Sequence, residues 1–401
     1  MPRLRVLLIA PFVSRQATGE AHVAFRWAEA LAPLVDLTVL AMDSPPHHAP
    51  LREQLPGADV TTWPVPRALR RTGRLGAMLK PEWPVFAARV RRHLARNPGR
   101  WDVAHQLMPQ APRYATPLRG AGVPYVIGPL GGTLPTPPGF AHEVAPELFS
   151  RLRALDGLRL CHDPRLRAGY RDAALVLGVA PYVGARLAAA GIVPRRYENI
   201  LELGVDGPAG PREPGPDGVV RLLHVGRGVR TKGLRDVIRA MAIADDPRLR
   251  LVSAGEGPEI EACRREAERL GLADRVRFLG LVPREAVERL YAQADVFAFP
   301  SFREPAGNVL YEAMRWGLPV IGAAAGGPDA ILDETCAIKI PVTDPDRFAR
   351  DIAAALRRLA DDPALRERMG RAGQARVLRE GLWTAKAERM AALLREVAQV
   401  Q

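Results

Sequence analysis

From Leu4 onward the chain alternates short aliphatic and β-branched runs with longer segments whose apolar positions recur every three or four residues. "RVLLIAPF" is followed by "AHVAFRWAEALAPL" and then by "VDLTVLAM". A short apolar run bounded by turn residues reads as a buried strand, and the longer period reads as an amphipathic helix. The order strand, helix, strand therefore argues for parallel βαβ units. Further strands are expected at "DVAHQL" (102–107), "PYVIGP" (124–129) and "ALVLGV" (174–179).

The alternation stops at "GPAGPREPGPDG" (207–218), where eight of twelve residues are Gly or Pro and neither helix nor strand can continue. This stretch reads as a linker. Strands then resume at "VVRLLHVG" (219–226), "LRLVSAG" (249–255), "RVRFLG" (275–280), "DVFAFPS" (295–301) and "LPVIGAA" (318–324), with helices expected near 233–243 and 258–270. From Asp344 the pattern is helical, through "FARDIAAALRRLA" and "AERMAALLREVAQ". The expected division is a Rossmann-like α/β domain over 1–206, the linker at 207–218, a second doubly wound domain over 219–383, and a last helix over 384–401 that packs away from its own domain.

Length supports two domains, because 401 residues exceed what one core usually organises, at about 200 residues each. The hydrophobic share of 47% and charged share of 25% are those of an ordinary globular protein. Cys161, Cys263 and Cys336 lie far apart and match no metal-ligand spacing, which suits a reducing cytoplasm and implies neither metal nor cofactor. The N-terminus reads directly as a strand rather than as a signal peptide, and no run reaches membrane-spanning length. A formal charge of +13, carried almost wholly by arginine, favours anionic partners. Within 67–100, arginines interleave with Leu, Met and Phe. That pattern fits a helix lying on an anionic membrane surface, or a core-facing helix with a basic outer face.

The chemistry concentrates in the second half. In "SFREPAGNVLYEAM" (301–314), Pro305 and Gly307 delay the helix, so Glu304 falls in the loop at a strand's carboxyl end and Glu312 in the second turn of the helix that follows. Open α/β sheets bind ligands at that edge. The first amides of the helix, at Asn308, Val309 and Leu310, suit a phosphate. The bland alternative makes Glu304 a local cap and Glu312 a solvated helix residue. Upstream, "HVGRGVRTKGLRDVIRAM" brings Arg227 and Lys232 to another strand end, where a diphosphate needs neutralising.

"GRGVRTKG", "SAGEGP", "VRFLGLVP", "YAQADVFAFPS", "EPAGNVLYEAM" and "GLPVIGAAAGG" follow one another as in family 4 of the retaining glycosyltransferases, which the chain resembles over essentially its whole length. The resemblance implies a GT-B fold, two Rossmann-like domains facing across a cleft. It also implies hexosyl transfer from a nucleoside diphosphate sugar to an acceptor hydroxyl, independent of metal. Arg227 and Lys232 then match the pair that binds the donor diphosphate, Glu304 the glutamate on the donor sugar, and Glu312 the one on the ribose. Val282 falls where relatives contact the base through backbone groups, and His105 matches a histidine near the reacting groups. Gly19 matches the first glycine of the loop after the first strand, and the usual second glycine is Glu20. The loop "GPLGGTLPTPPGF" (128–140), with Gly131, Gly132 and Thr133, departs from relatives and reads as an acceptor loop or a rigid connector. Further departures are Leu203 where relatives often carry Asn and Ala330 where many carry Glu.

Two other functions fit parts of this pattern. A sugar-nucleotide epimerase can share the fold, and a basic protein can use nucleic acid or membrane as its partner. No recognition helix, aromatic-interleaved strand or zinc spacing supports nucleic acid.

Overall fold

The computed structural model describes residues 3–69, 80–132, 134–144, 156–213, 215–216 and 218–399. They form two units, the first from the described residues of 1–133, 148–203 and 383–401, the second from those of 134–147 and 204–382.

The first unit is built on a seven-stranded parallel sheet. Its order is β3 (Asp59–Trp63), β2 (Asp36–Met42), β1 (Arg5–Ile9), β4 (Val103–Gln106), β5 (Tyr125–Leu130), β6 (Leu175–Gly178) and β7 (Tyr197–Asn199). Central strands are buried at nearly every position, as strands covered on both faces must be, whereas the edges β3 and β7 carry Thr, Glu and Asn half in solvent. The second unit has a six-stranded parallel sheet in the order β10 (Val276–Phe278), β9 (Leu249–Ala254), β8 (Val220–Val225), β11 (Val296–Phe299), β12 (Val320–Ala323) and β13 (Ala337–Ile340). In each sheet the strand order reverses once, between β1 and β4 and between β8 and β11, so each has one switch point at its carboxyl edge.

The helices used below are α1 (Glu20–Leu31), α2 (Trp83–Arg96), α3 (Leu234–Ala244), α4 (Arg284–Gln293), α5 (Asn308–Arg315), α6 (Pro345–Asp361) and α7 (Trp383–Gln399). In the first unit α7 packs on α1, with Trp27 edge-on to Trp383 at 5.6 Å. Both helices are stitched to the chain after β7: Trp27 Nε1 donates to the Glu202 carbonyl at 2.7 Å and Lys386 Nζ to the Leu201 carbonyl at 3.1 Å. The apolar side of α2, Phe86, Val90 and Leu94, is buried, while Arg91 and Arg92 face solvent. Helix 83–96 is thus the core-facing member of the two readings, and its apolar side is not offered to a bilayer. Residues 70–79 of the same stretch lie outside the described residues. Among the described residues no helix is long and apolar enough to cross a membrane.

Two boundaries differ from the sequence reading. The described residues of 207–218 lie along the second unit, where the Glu213 amide donates to the Ala292 carbonyl at 2.8 Å and Arg212 to the Ala294 carbonyl at 3.3 Å; the chain passes between units at Leu203–Gly204. Low regularity marked a pinned coil rather than a free linker. The second difference is 134–144, which belongs to the second unit although it comes from the first half of the chain. Phe140 is fully buried, stacked on Phe302 at 4.2 Å and edge-on to Phe348 at 5.5 Å. Arg230, 6% exposed, lies over both Phe140 and Phe302, and its guanidinium meets Asp236 in a fork at 2.6 and 2.8 Å and Glu143 at 2.8 Å. Burial alone would lower the Arg230 pKa, but the paired carboxylates outweigh it and hold the group above its ordinary value. Thr136 Oγ1 accepts from Arg303 at 2.9 Å.

Since Phe140 fills the second unit's core, Phe140→Ala is expected to destabilise that unit by about 3–5 kcal/mol. Phe140→Leu should cost less. Urea unfolding would check this, and a loss under about 1 kcal/mol for the alanine variant would show that 134–144 is not part of that core.

Candidate active site

The switch point of the second sheet brings together the loop after β8 and the loop after β11. The two strands pair in register, Val296 with Leu222 and Phe297 with Leu223, so their carboxyl ends lie side by side. Beyond them the loops are fastened through backbone: Ser301 Oγ donates to the Thr231 carbonyl at 3.0 Å and the Phe302 amide to the same oxygen at 3.1 Å. Gly233 turns the chain into α3 at φ 80°, and a Cβ there would lie 2.3 Å from the Pro300 carbonyl oxygen. Only a glycine permits that approach at that φ.

This places Lys232 against Glu304. Their side chains, 12% and 13% exposed, form an ion pair, and the ammonium lies 5.5 Å from the centre of the Phe299 ring. The Lys232 backbone is held from beneath by His224, whose Nε2 donates to the Lys232 carbonyl at 3.1 Å. Burial lowers the His224 pKa to about 4, so it holds that carbonyl as a neutral ring. Arg227, on the same loop, is exposed and makes no ion pair among the described residues.

Helix α5 starts from Gly307, which takes φ 91°. The Asn308 and Val309 amides have no backbone acceptor among the described residues, whereas the Leu310 amide donates to the Gly307 carbonyl at 2.9 Å. Leu310 is therefore corrected from a free phosphate donor to part of the helix's tight first turn. Glu312 is half-buried and accepts from the fully buried Tyr291 hydroxyl at 3.2 Å. Its pKa is raised by burial, against which Arg284 and the Tyr291 hydroxyl act more weakly. It is not the freely solvated helix residue of the bland reading. Val282 is half-buried in the loop after β10, two residues before α4, the helix that carries Tyr291.

The remaining candidates lie in the first unit. Gly19, at φ 65°, immediately precedes α1. Gly131 is buried, its amide donating to the Gln110 carbonyl at 3.0 Å; Gly132 takes φ 78°, and Thr133 lies outside the described residues. His105 is corrected: it is 0% exposed inside β4, with Nε2 donating to the Gly128 carbonyl at 2.6 Å. Burial takes its pKa down to about 4, with the Gly128 bond opposing. A neutral ring locked between β4 and β5 ties the sheet together and has no face open to a substrate.

With this geometry in view, residues 212–376 match the family described as "Glycosyl transferases group 1", and residues 18–200 match the "Glycosyl transferase 4-like domain". The chain belongs to the family 4, group 1 glycosyltransferases of the GT-B fold. Over 153 residues the chain is 39% identical to the lipopolysaccharide core biosynthesis glycosyltransferase LpsD of Rhizobium meliloti, covering 38% of this chain and 42% of that protein. Over 169 residues it is 36% identical to a D-inositol 3-phosphate glycosyltransferase of Streptomyces avermitilis, covering 39% of this chain and 36% of that one. Each match thus spans less than half of the curated relative's length. In fold it is similar to Anabaena HepE, whose crystal structure is a complex with UDP, at a TM-score of 0.67, 18% identity, 98% of this chain and 100% of that one.

Several residues of this candidate site were not singled out in the sequence. His224 and Tyr291 act from beneath the surface, and no local spacing marks their partners. The glycines of "SAGEGP" were visible as a motif, but their work is a contact: the Gly226 amide donates to the Ala254 carbonyl at 3.0 Å and the Gly228 amide to the Glu256 carbonyl at 2.7 Å, backbone against backbone. A Cβ on Gly255 would sit 1.8 Å from the Gly226 carbonyl oxygen.

Gly255→Ala must therefore push the Arg227 loop away from β9, at a cost of about 1–3 kcal/mol. Chemical denaturation is the check, and wild-type stability in this variant would contradict the close approach.

Proposed function

We propose that this glycosyltransferase moves a hexosyl unit from a nucleoside diphosphate sugar to an acceptor hydroxyl with retention of configuration. The observation that carries this reading is the ion pair of Lys232 and Glu304 across the second sheet's switch point, with Arg227 exposed beside it. A diphosphate entering this edge would meet the Arg227 guanidinium, the Lys232 ammonium and the Asn308 and Val309 amides at the positive end of α5. The charge that faces the phosphates is supplied by the chain itself, so the reading requires no metal ion.

Glu304 and Lys232 have separable roles. In the empty site each neutralises the other. When a donor diphosphate engages Lys232, the Glu304 carboxylate is released to accept from the donor sugar's hydroxyls and fix its orientation. Glu312, half-buried beside Tyr291, is placed to accept from the ribose hydroxyls, and Val282 offers backbone groups to the base. The bond from the sugar's anomeric carbon to the diphosphate oxygen breaks as the bond to the acceptor oxygen forms on the same face. The acceptor's proton passes to the departing phosphate. The similarity to a lipopolysaccharide core enzyme supports a glycan or lipid-linked acceptor, though a small hydroxylated metabolite fits the same chemistry.

Thermal-shift titration with UDP, GDP and ADP, each with and without magnesium, tests the donor side. One nucleotide should raise the melting temperature without metal, and no shift with any of the three would overturn the reading. Glu304→Ala should lower turnover by about 10²–10³-fold. Because it frees the Lys232 ammonium, it should leave nucleotide affinity equal or slightly higher. Lys232→Ala should weaken nucleotide binding by roughly tenfold or more, about 1.4 kcal/mol, and lower turnover as well. Equal loss of nucleotide affinity in both variants would sink this division of roles.

A further inference from the structure

The switch point of the first sheet, between β1 and β4, opens into a cavity of about 390 Å³ that lies wholly within the first unit. Its walls include Phe12 and Met108 at the ends of those strands, with Thr18, Glu20, Lys80 and Glu82 among the groups around it. The volume is that of a small-molecule site.

Its charge is unlike that of the second sheet's edge. Glu20 stands at the first position of α1, directly after Gly19. Its carboxylate occupies the helix's positive end and pairs with Lys80 at 2.7 Å, the side chains being 30% and 16% exposed. That pairing uses the one cation among the described residues that line the cavity. Glu82 is left over. It is 8% exposed and lines the same cavity, and apart from its own backbone amide its carboxylate has no hydrogen-bond or ion-pair partner among the described residues. The charges acting on it are Lys80 and, in opposition, Glu20, and burial raises its pKa. A buried carboxylate that no cation bonds directly is costly and is satisfied by one.

We propose that this cavity binds a hydroxylated ring compound bearing a protonated amine, with the ammonium on Glu82, hydroxyls toward Glu20 and Thr18, and the ring's apolar face on Phe12 and Met108. As the acceptor class of the transfer it rests on the function proposed above; as a binding site it stands alone. Two carboxylates against one ammonium disfavour a phosphorylated or otherwise anionic occupant. The pairing with Glu20 is what keeps Lys80 from anion binding.

Saturation-transfer NMR on the full chain would compare glucosamine, N-acetylglucosamine, glucose and glucose 6-phosphate, compounds of one ring size that differ in charge. Glucosamine should bind at least tenfold more tightly than the other three. Glu82→Gln, which keeps the shape and removes the charge, should abolish that preference, and Glu20→Gln should weaken it and improve glucose 6-phosphate. A preference for glucose 6-phosphate in the wild type, no binding of glucosamine, or unchanged glucosamine binding in Glu82→Gln would each overturn the proposal. Nucleotide-induced melting shifts measured on the same samples report the second unit separately. Failure there with the glucosamine preference intact would count against the transfer reaction and not against this site.

Discussion

Two opposite charges brought nearly out of water at the end of the second sheet set the requirements for what surrounds them. Lys232 and Glu304 would each be expensive to bury alone, so the loops that carry them must meet and stay in register. Adjacent strands β8 and β11 start the loops side by side, and shared bonds to the Thr231 carbonyl, the approach of Gly233 to Pro300 and the neutral His224 beneath Lys232 hold them there.

The segment 134–144 extends this support to the far side of Glu304. Phe302 and Arg303 precede Glu304 directly, and the segment holds both, Phe302 by stacking under Phe140 and Arg303 through Thr136. Arg230, two residues before Lys232, is clamped between Asp236 and Glu143, the latter again from this segment. The bonds on each side of the Lys232–Glu304 ion pair therefore include residues from the first half of the chain. Of the stretch that reads as an acceptor loop or a rigid connector, 134–140 belongs to the second unit and places Phe140 in its core.

The two switch points carry contrasting electrostatics on similar sheets. The second presents Arg227 and helix amides and suits an anion. In the first, Glu20 takes the helix end and the cavity's described lysine, and the Glu82 carboxylate makes no ion pair among the described residues. A basic chain of +13 thus keeps a carboxylate-rich cavity, which net charge alone conceals: global charge governs long-range attraction, while selectivity is set by the few groups that lose water on binding.

By itself the sequence determined the two α/β units, their central strands and the loops on which Arg227, Lys232, Glu304 and Glu312 sit, because apolar periodicity and Gly or Pro interruptions are local properties of the chain. Edge strands β3, β7 and β13 escaped it, since they are short and partly exposed, and so carry no long apolar run. Only the tertiary structure decided that Lys232 pairs with Glu304, that Leu310's amide is already used, that His105 is sealed inside β4, and that the Glu82 carboxylate makes no ion pair among the described residues. It alone assigned 134–144 to the second unit. Each of these depends on which distant residue lies opposite, and periodicity reports which face of an element is buried, never what it is buried against.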